Sequence, residues 1–188
     1  MSTKIVQFER ELLSGIIFSK AMEQTLILLK PDTIKRGLIG AIIGRFEKVG
    51  LKLVGIKMLH PDEQHYHHHY ETISGLKSRV GEDVFNKNSN FMMTGPVIAI
   101  VLQGVGAVNS VRKMVGATDP SEAQPGTIRG DFAHVSVTHA NNQNTGLPNV
   151  IHASGNLEEA KKEVSHWFNQ SELFDYKTVQ EHLTQPLE

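Results

Sequence analysis

The chain contains no cysteine, which excludes disulfides, thiolate metal sites and cysteine nucleophiles together. No apolar run approaches the length of a membrane span. Ser14-Gly15-Ile16-Ile17-Phe18 is too short for a secretory core, and Glu9 and Glu11 interrupt its approach. Neither charge is in excess: 19 basic against 20 acidic residues give a net charge of −1. That balance supplies no field for a polyanion, so no specific nucleic-acid partner and no membrane partner is expected. Neither a Gly-x-x-x-x-Gly-Lys-Ser/Thr phosphate loop nor a protein-kinase catalytic loop is present. What remains is an ordinary composition, 39% hydrophobic and 21% charged over 188 residues, enough for one well-packed domain. A cytoplasmic location is expected.

Hydrophobic periodicity divides the chain. Residues 1–22 read as an extension, either a short amphipathic helix carrying Phe8, Leu12, Leu13, Ile16 and Ile17 or a poorly ordered lead-in. Residues 23–188 read as the domain. Thr25-Leu26-Ile27-Leu28-Leu29 predicts a buried strand stopped by Pro31, with Lys30 at its end. Leu38, Ile39, Ile42, Ile43, Phe46 and Val49 fall at helical spacing, closed by Gly50. Leu51 to Met58 alternate as a strand with a phase slip at Gly55, the mark of a bulge. Residues 62–93 read as two short helices, and Val97–Leu102 as a central strand. Val105, Val108, Val111, Met114 and Val115 predict another helix. Ala133, Val135 and Val137 alternate like a fourth strand, 140–148 reads as a surface loop, and Asn156 caps a last helix with Glu159 three residues on. The order β-α-β-β-α-β predicts a ferredoxin-like antiparallel sheet with helices packed on it and an inserted helical hairpin.

The chemistry gathers at Asn149-Val150-Ile151-His152-Ala153-Ser154-Gly155, with Glu163 on the helix that follows. An imidazole there can serve as base, ligand or nucleophile. Gly126-Thr127-Ile128-Arg129-Gly130-Asp131 forms a tight loop from which Arg129 offers a guanidinium suited to two-pronged phosphate contact. Arg112 near the end of the preceding helix, the Thr118 hydroxyl and Lys30 are placed to reach the same region. Cations with a histidine suggest phosphoryl transfer, which needs positioning and charge neutralisation more than covalent machinery. A histidine nucleophile is then the simplest carrier.

Four segments, in order, carry a resemblance. They are Leu29-Lys30-Pro31-Asp32, Arg112 to Pro120, Pro125 to Phe132 and Asn149 to Ser154. Together, over residues 24–175, the chain resembles nucleoside diphosphate kinase. The resemblance implies ping-pong transfer of the γ-phosphate from a nucleoside triphosphate to a nucleoside diphosphate. His152 would carry the phosphate, oriented by Ser154 and Glu163. Lys30 and Asn149 would meet the ribose 3′-hydroxyl and phosphates. Arg112, Thr118 and Arg129 would hold the β- and γ-phosphates, and Tyr70 would stand at the pocket wall. Mg²⁺ would ride on the nucleotide's phosphates, with no metal site of the protein's own. A homo-oligomer, tetramer or hexamer, is implied as well.

Three departures stand out. Ala153-Ser154-Gly155 replaces the family's usual Gly-Ser-Asp. The segment from Tyr70 to Gly95-Pro96 is about six residues longer than usual, loop length being what drifts most readily. Phe85 is then the expected base-stacking ring, with Phe91 the alternative. Residues 139–148 form a second insertion. Finally, His65-Tyr66-His67-His68-His69-Tyr70 puts His65 and His69 one helical turn apart, a chelating spacing with no acidic residue to complete it. A solvated helix face is the expectation there.

Overall fold

The computed structural model describes residues 22–181, so the reading of the extension lies outside the described residues. Strand β1 (Met22–Leu29) runs between β3 (Val97–Val105) and β4 (Ile151–Ala153), and β2 (Lys52–Leu59) flanks β3, giving the order β2-β3-β1-β4. All pairings are antiparallel, and the sheet is ferredoxin-like.

β1 and β3 are apolar on both faces because helices cover both. Ile27 and Leu29 face Ile42 and Phe46 of α2 (Ile39–Lys48) and Val111 of a later helix, α6 (Ala107–Val115). Leu26 and Leu28 face Tyr66, Tyr70, Phe85, Met92 and Trp167. The expected bulge is real: the β2–β3 register slips between Leu53 and Gly55. After the slip Ile56 and Met58 turn outward and are exposed.

The crossing after β2 holds four segments rather than two short helices. Helix α3 (Glu63–His67) passes into a π-helical turn (His68–Ile73), followed by α4 (Leu76–Val80) and α5 (Glu82–Met92). The wider π turn lets His69 and Tyr70, adjacent in sequence, both point inward.

The fourth strand is a correction. Ala133 and Val135 lie in irregular chain, and Val137 opens helix α8 (Val137–Asn142), capped by the Ser136 side chain. The alternation there reflects a half-buried loop. The true β4 is three residues long and has His152 at its centre, opposite Leu28. The expected loop at 140–148 likewise begins inside α8. Helix α9 (Leu157–Trp167) follows, capped by the Asn156 side chain on the Glu159 N–H as expected.

Candidate active site

The site is organised by a strained turn. Val150 has φ +62, and the Ile151 N–H donates to the Asn149 carbonyl at 2.7 Å across it. A β-branched residue in that region is strained. The Lys30-Pro31-Asp32 segment, where β1 gives way to α1 (Pro31–Lys35), holds the turn. Asp32 Oδ2 accepts the Val150 N–H at 3.0 Å, Lys30 N–H donates to the Val150 carbonyl at 2.9 Å, and Thr33 Oγ1 donates to the same carbonyl. The turn delivers the chain into β4 and so sets His152.

His152 Nε2 lies 2.9 Å from Glu163 Oε1. Ser154 Oγ donates to Glu163 Oε2 at 2.5 Å and accepts the Leu26 N–H at 3.1 Å. Glu163 is fully buried, so both its oxygens have partners where an unpaired carboxylate would be costly. With Nε2 held by a carboxylate, a neutral ring keeps its lone pair on Nδ1. Sequence reading missed a third party, His69. It is fully buried, its ring edge-on to His152 with centroids 4.6 Å apart, and its Nδ1 accepts the Trp167 indole N–H at 3.1 Å. The only signal for it was its place beside Tyr70.

His152 opens on a cleft of about 620 Å³. Lys30, Arg112, Thr118, Arg129 and Asn149 gather in one part of it; the lining also holds the aliphatic Leu76, Val80, Val84, Val137, Ala140 and Leu147 and the polar Arg79, Lys87, Asn88 and Asn141. Tyr70 also lines it, its hydroxyl buried beside the Asn88 side chain. Lys30 is buried, and burial brings its ammonium pKa down to about 8, with Asp32 opposing and Arg129 assisting that fall. Arg129, on α7 (Ile128–Phe132), is lowered to about 10 by burial and by Arg112.

Arg129 differs from expectation in how it is used. Its Nε donates to the Asn149 carbonyl, one terminal nitrogen to the Gly116 and Ala117 carbonyls, and the other to the Ile151 carbonyl at 2.7 Å. Four of the five N–H groups of a guanidinium are thereby committed to backbone. Its two-pronged face is a brace around the turn, and one N–H with the charge is left for the cleft. Arg112 is freer, with a single long contact of 3.5 Å to the Ser154 carbonyl. Asn149 Nδ2 donates to the Thr118 carbonyl at 2.9 Å, while its Oδ1 is buried and unpaired.

Phe85 does not reach the cleft. It is buried in the core behind it, edge-on to His67. Phe91 does not line the cleft either; it packs beneath the second insertion, with Lys30 Nζ 5.8 Å from its centroid. A Cβ on Gly146 would come within 2.3 Å of Phe91 Cβ and 2.7 Å of the Lys87 carbonyl, which pins this loop against α5. The Ala153 methyl fits, packed in the core. At Gly155 the missing acid is answered by Glu159, whose Oε2 accepts the Gly155 N–H at 3.1 Å.

The histidine run is not one solvated face. His65 stacks on His166 with centroids 4.0 Å apart, while His69 is interior. Among the described residues, His69, His152 and Glu163 bring ligand atoms within 4.8 Å of one another. Within it His152 already holds Glu163, and His69 is taken up by Trp167. The one carboxylate lining the cleft is Glu159, engaged at Gly155 and Asn156. This donor set suits a phosphate-bearing ligand that brings its own cation. No helix among the described residues is long and apolar enough to cross a membrane.

Comparison with known proteins agrees with this geometry. The sequence profile of the family described as nucleoside diphosphate kinase matches residues 23–173. The nucleoside diphosphate kinase of Pyrococcus horikoshii is 46% identical over 158 residues, 82% of this chain and 90% of its own length. That of Synechococcus elongatus is 45% identical over 159 residues, 82% of this chain and 93% of its own. Among solved structures, a transition-state mimic of the Borrelia burgdorferi enzyme with bound vanadate and ADP aligns with a TM-score of 0.83 at 42% identity. The alignment covers 86% of this chain and 96% of that one. The chain belongs to the nucleoside diphosphate kinase family, phosphotransferases that work through a phosphohistidine.

Proposed function

We propose that His152 is the residue that carries the phosphate between nucleotides. The observation that supports this most directly is its Nε2 contact with the buried Glu163, which leaves the Nδ1 lone pair as nucleophile beside the cationic end of the cleft. Nδ1 attacks the γ-phosphorus of a nucleoside triphosphate. The bond to the β–γ bridging oxygen breaks, and the nucleoside diphosphate leaves with its electron pair. The ring, now phosphorylated on Nδ1 and protonated on Nε2, carries positive charge opposite Glu163. A second nucleoside diphosphate then attacks the phosphorus and releases His152. Ser154 keeps Glu163 turned toward the ring.

Arg112, Thr118 and the remaining N–H of Arg129 serve the β- and γ-phosphates, where preorganised charge is worth most. Lys30 and the unpaired Asn149 Oδ1 serve the sugar hydroxyl and nearby phosphate oxygens. The Tyr70 hydroxyl stands at the wall beside them. Mg²⁺, held by the phosphates rather than by protein carboxylates, supplies further charge neutralisation. The aliphatic part of the lining takes the base. The exposed Val49, Ile56 and Met58 support a homo-oligomer as part of the same reading, and a chain without cysteine suits the cytoplasm.

The test is incubation with ATP radiolabelled on its γ-phosphate. Label that is acid-labile, base-stable and transferable to a diphosphate is expected on the wild type and absent from His152→Ala. Label retained by that variant places the carrier elsewhere.

A further inference from the structure

We propose that Trp167 and His69 form a tautomer lock that keeps the Oε1 oxygen of Glu163 for His152. The inference rests on the reading of His152 and Glu163 above and concerns two residues outside it.

An indole N–H can only donate. Trp167 Nε1 lies 3.1 Å from His69 Nδ1, so Nδ1 must be the unprotonated nitrogen and the ring's proton sits on Nε2. That same Nδ1 is 3.7 Å from Glu163 Oε1, the oxygen that holds His152. A proton on Nδ1 would make His69 a second donor to this oxygen, in competition with His152. The indole prevents it by occupying the position. A second proton on His69 is opposed too: burial holds its pKa well below the usual histidine value, followed by repulsion from His152, His166, His65 and Lys30.

The titratable groups facing His69 are His152 on β4, Glu163 and His166 on α9, His65 on α3, Lys30 at the end of β1 and the adjacent Tyr70. Glu163 is the sole carboxylate among them. A neutral His69 that cannot donate toward it leaves His152 as the one imidazole that neutralises it. The ring also stands at 80° to His152, a wall that limits rotation of the nucleophile. His69 is thus a positioning residue, and Trp167 sets its protonation pattern.

The experiment measures single-turnover phosphoenzyme formation from Mg·ATP across pH for wild type, Trp167→Phe and Trp167→Phe/His69→Phe. Removing the indole lets the His69 proton move to Nδ1 and donate to Glu163. Phosphoenzyme formation should then slow about tenfold at neutral pH. The acid limb of its profile should shift down by about half a pH unit, because the His152 cation has lost part of its counter-charge. The double variant has no proton to offer Glu163, and it should regain a rate and an acid limb near wild type. A purely packing role predicts the reverse order, with the double variant the slower. An unmoved acid limb in Trp167→Phe, or no recovery in the double variant, overturns the lock. Loss of label in His152→Ala is a separate result and speaks only to the carrier. Should a variant fail to fold, imidazole nitrogen NMR of the wild type decides: a protonated Nδ1 on His69 overturns the proposal, and a protonated Nε2 supports it.

Discussion

Asp32 Oδ2 accepts the Val150 N–H at 3.0 Å, joining two residues 118 positions apart. The aspartate of the Lys30-Pro31-Asp32 segment therefore touches the strained turn that aims His152, rather than acting on a substrate directly. Asp32→Ala removes an acceptor from a part-buried N–H, which costs about 1–3 kcal/mol, and it loosens a turn that is unfavourable by itself. Thermal unfolding should show that loss. Phosphoenzyme formation should fall about tenfold or more, while Asp32→Asn, which keeps an oxygen in place, should lose less. Equal losses in both variants would mean that the charge matters and the hydrogen bond does not.

Arg129→Lys should damage stability and turnover together. A lysine cannot reach four carbonyls spread over Gly116, Ala117, Asn149 and Ile151, and each charged hydrogen bond contributes about 1.5–3 kcal/mol. The melting temperature should drop, and single-turnover transfer should slow by about tenfold or more. A variant as stable as the wild type with slowed transfer would show that phosphate contact, and not the brace, dominates at this position.

The sequence showed these cations but not their division of labour. Local segments such as Lys30-Pro31-Asp32 and Asn156 with Glu159 were legible because a few neighbouring residues carry their geometry. β4 was not legible: three residues give too short an alternation, and the alternating Ala133, Val135 and Val137 offered a longer false one. The aliphatic lining proposed to take the base was hidden for another reason. Its walls come from α4–α5 and from α8 with its following loop, and neither segment has a motif. His69 was hidden by its neighbours. In a run of histidines nothing local tells the buried one from the stacked and exposed ones; the π turn makes that distinction.

Lys30 predicts a pH dependence. Its pKa in the folded chain is about 8, against an ordinary 10.5. Between these values the unfolded chain binds more protons than the folded one, so this group makes stability rise with pH across that window. Below about pH 8 the buried ammonium is charged and costs stability, but that charge is the one proposed to meet the phosphate. Activity should therefore decline as pH rises through about 8 in the free enzyme. Nucleotide phosphates restore the charged form, so binding near pH 8–9 should take up a proton. Calorimetry in buffers of different ionisation enthalpy measures that uptake, and Lys30→Met should abolish it.

Phe85 and Val84 should separate core from cleft. Phe85 is buried behind the site, so Phe85→Leu should cost about 1–2 kcal/mol of stability and leave the KM for ADP nearly unchanged. Val84 lines the cleft. Val84→Ser should raise that KM severalfold, the loss of about 1 kcal/mol of apolar contact, with little change in melting temperature. The opposite pattern would put the base against Phe85 after all.

The aliphatic walls also predict weak discrimination among nucleobases. Leu76, Val80, Val84, Val137, Ala140 and Leu147 all line the cleft, and apolar contact with a flat ring is nearly blind to which ring it is. Rejecting a close analogue needs fixed donors and acceptors that a wrong base would leave unpaired. Lys30, Arg112, Thr118, Arg129 and Asn149, which also line the cleft, are the groups proposed to meet phosphate and sugar, which every nucleotide shares. Values of kcat/KM for ADP, GDP, CDP and UDP as acceptors should fall within about a hundredfold, under about 3 kcal/mol. Asn141 on α8 is the lining amide positioned in the insertion, so it supplies the control. If the spread instead reaches several thousandfold and collapses in Asn141→Ala, the insertion reads the base edge, and the slot is selective rather than permissive.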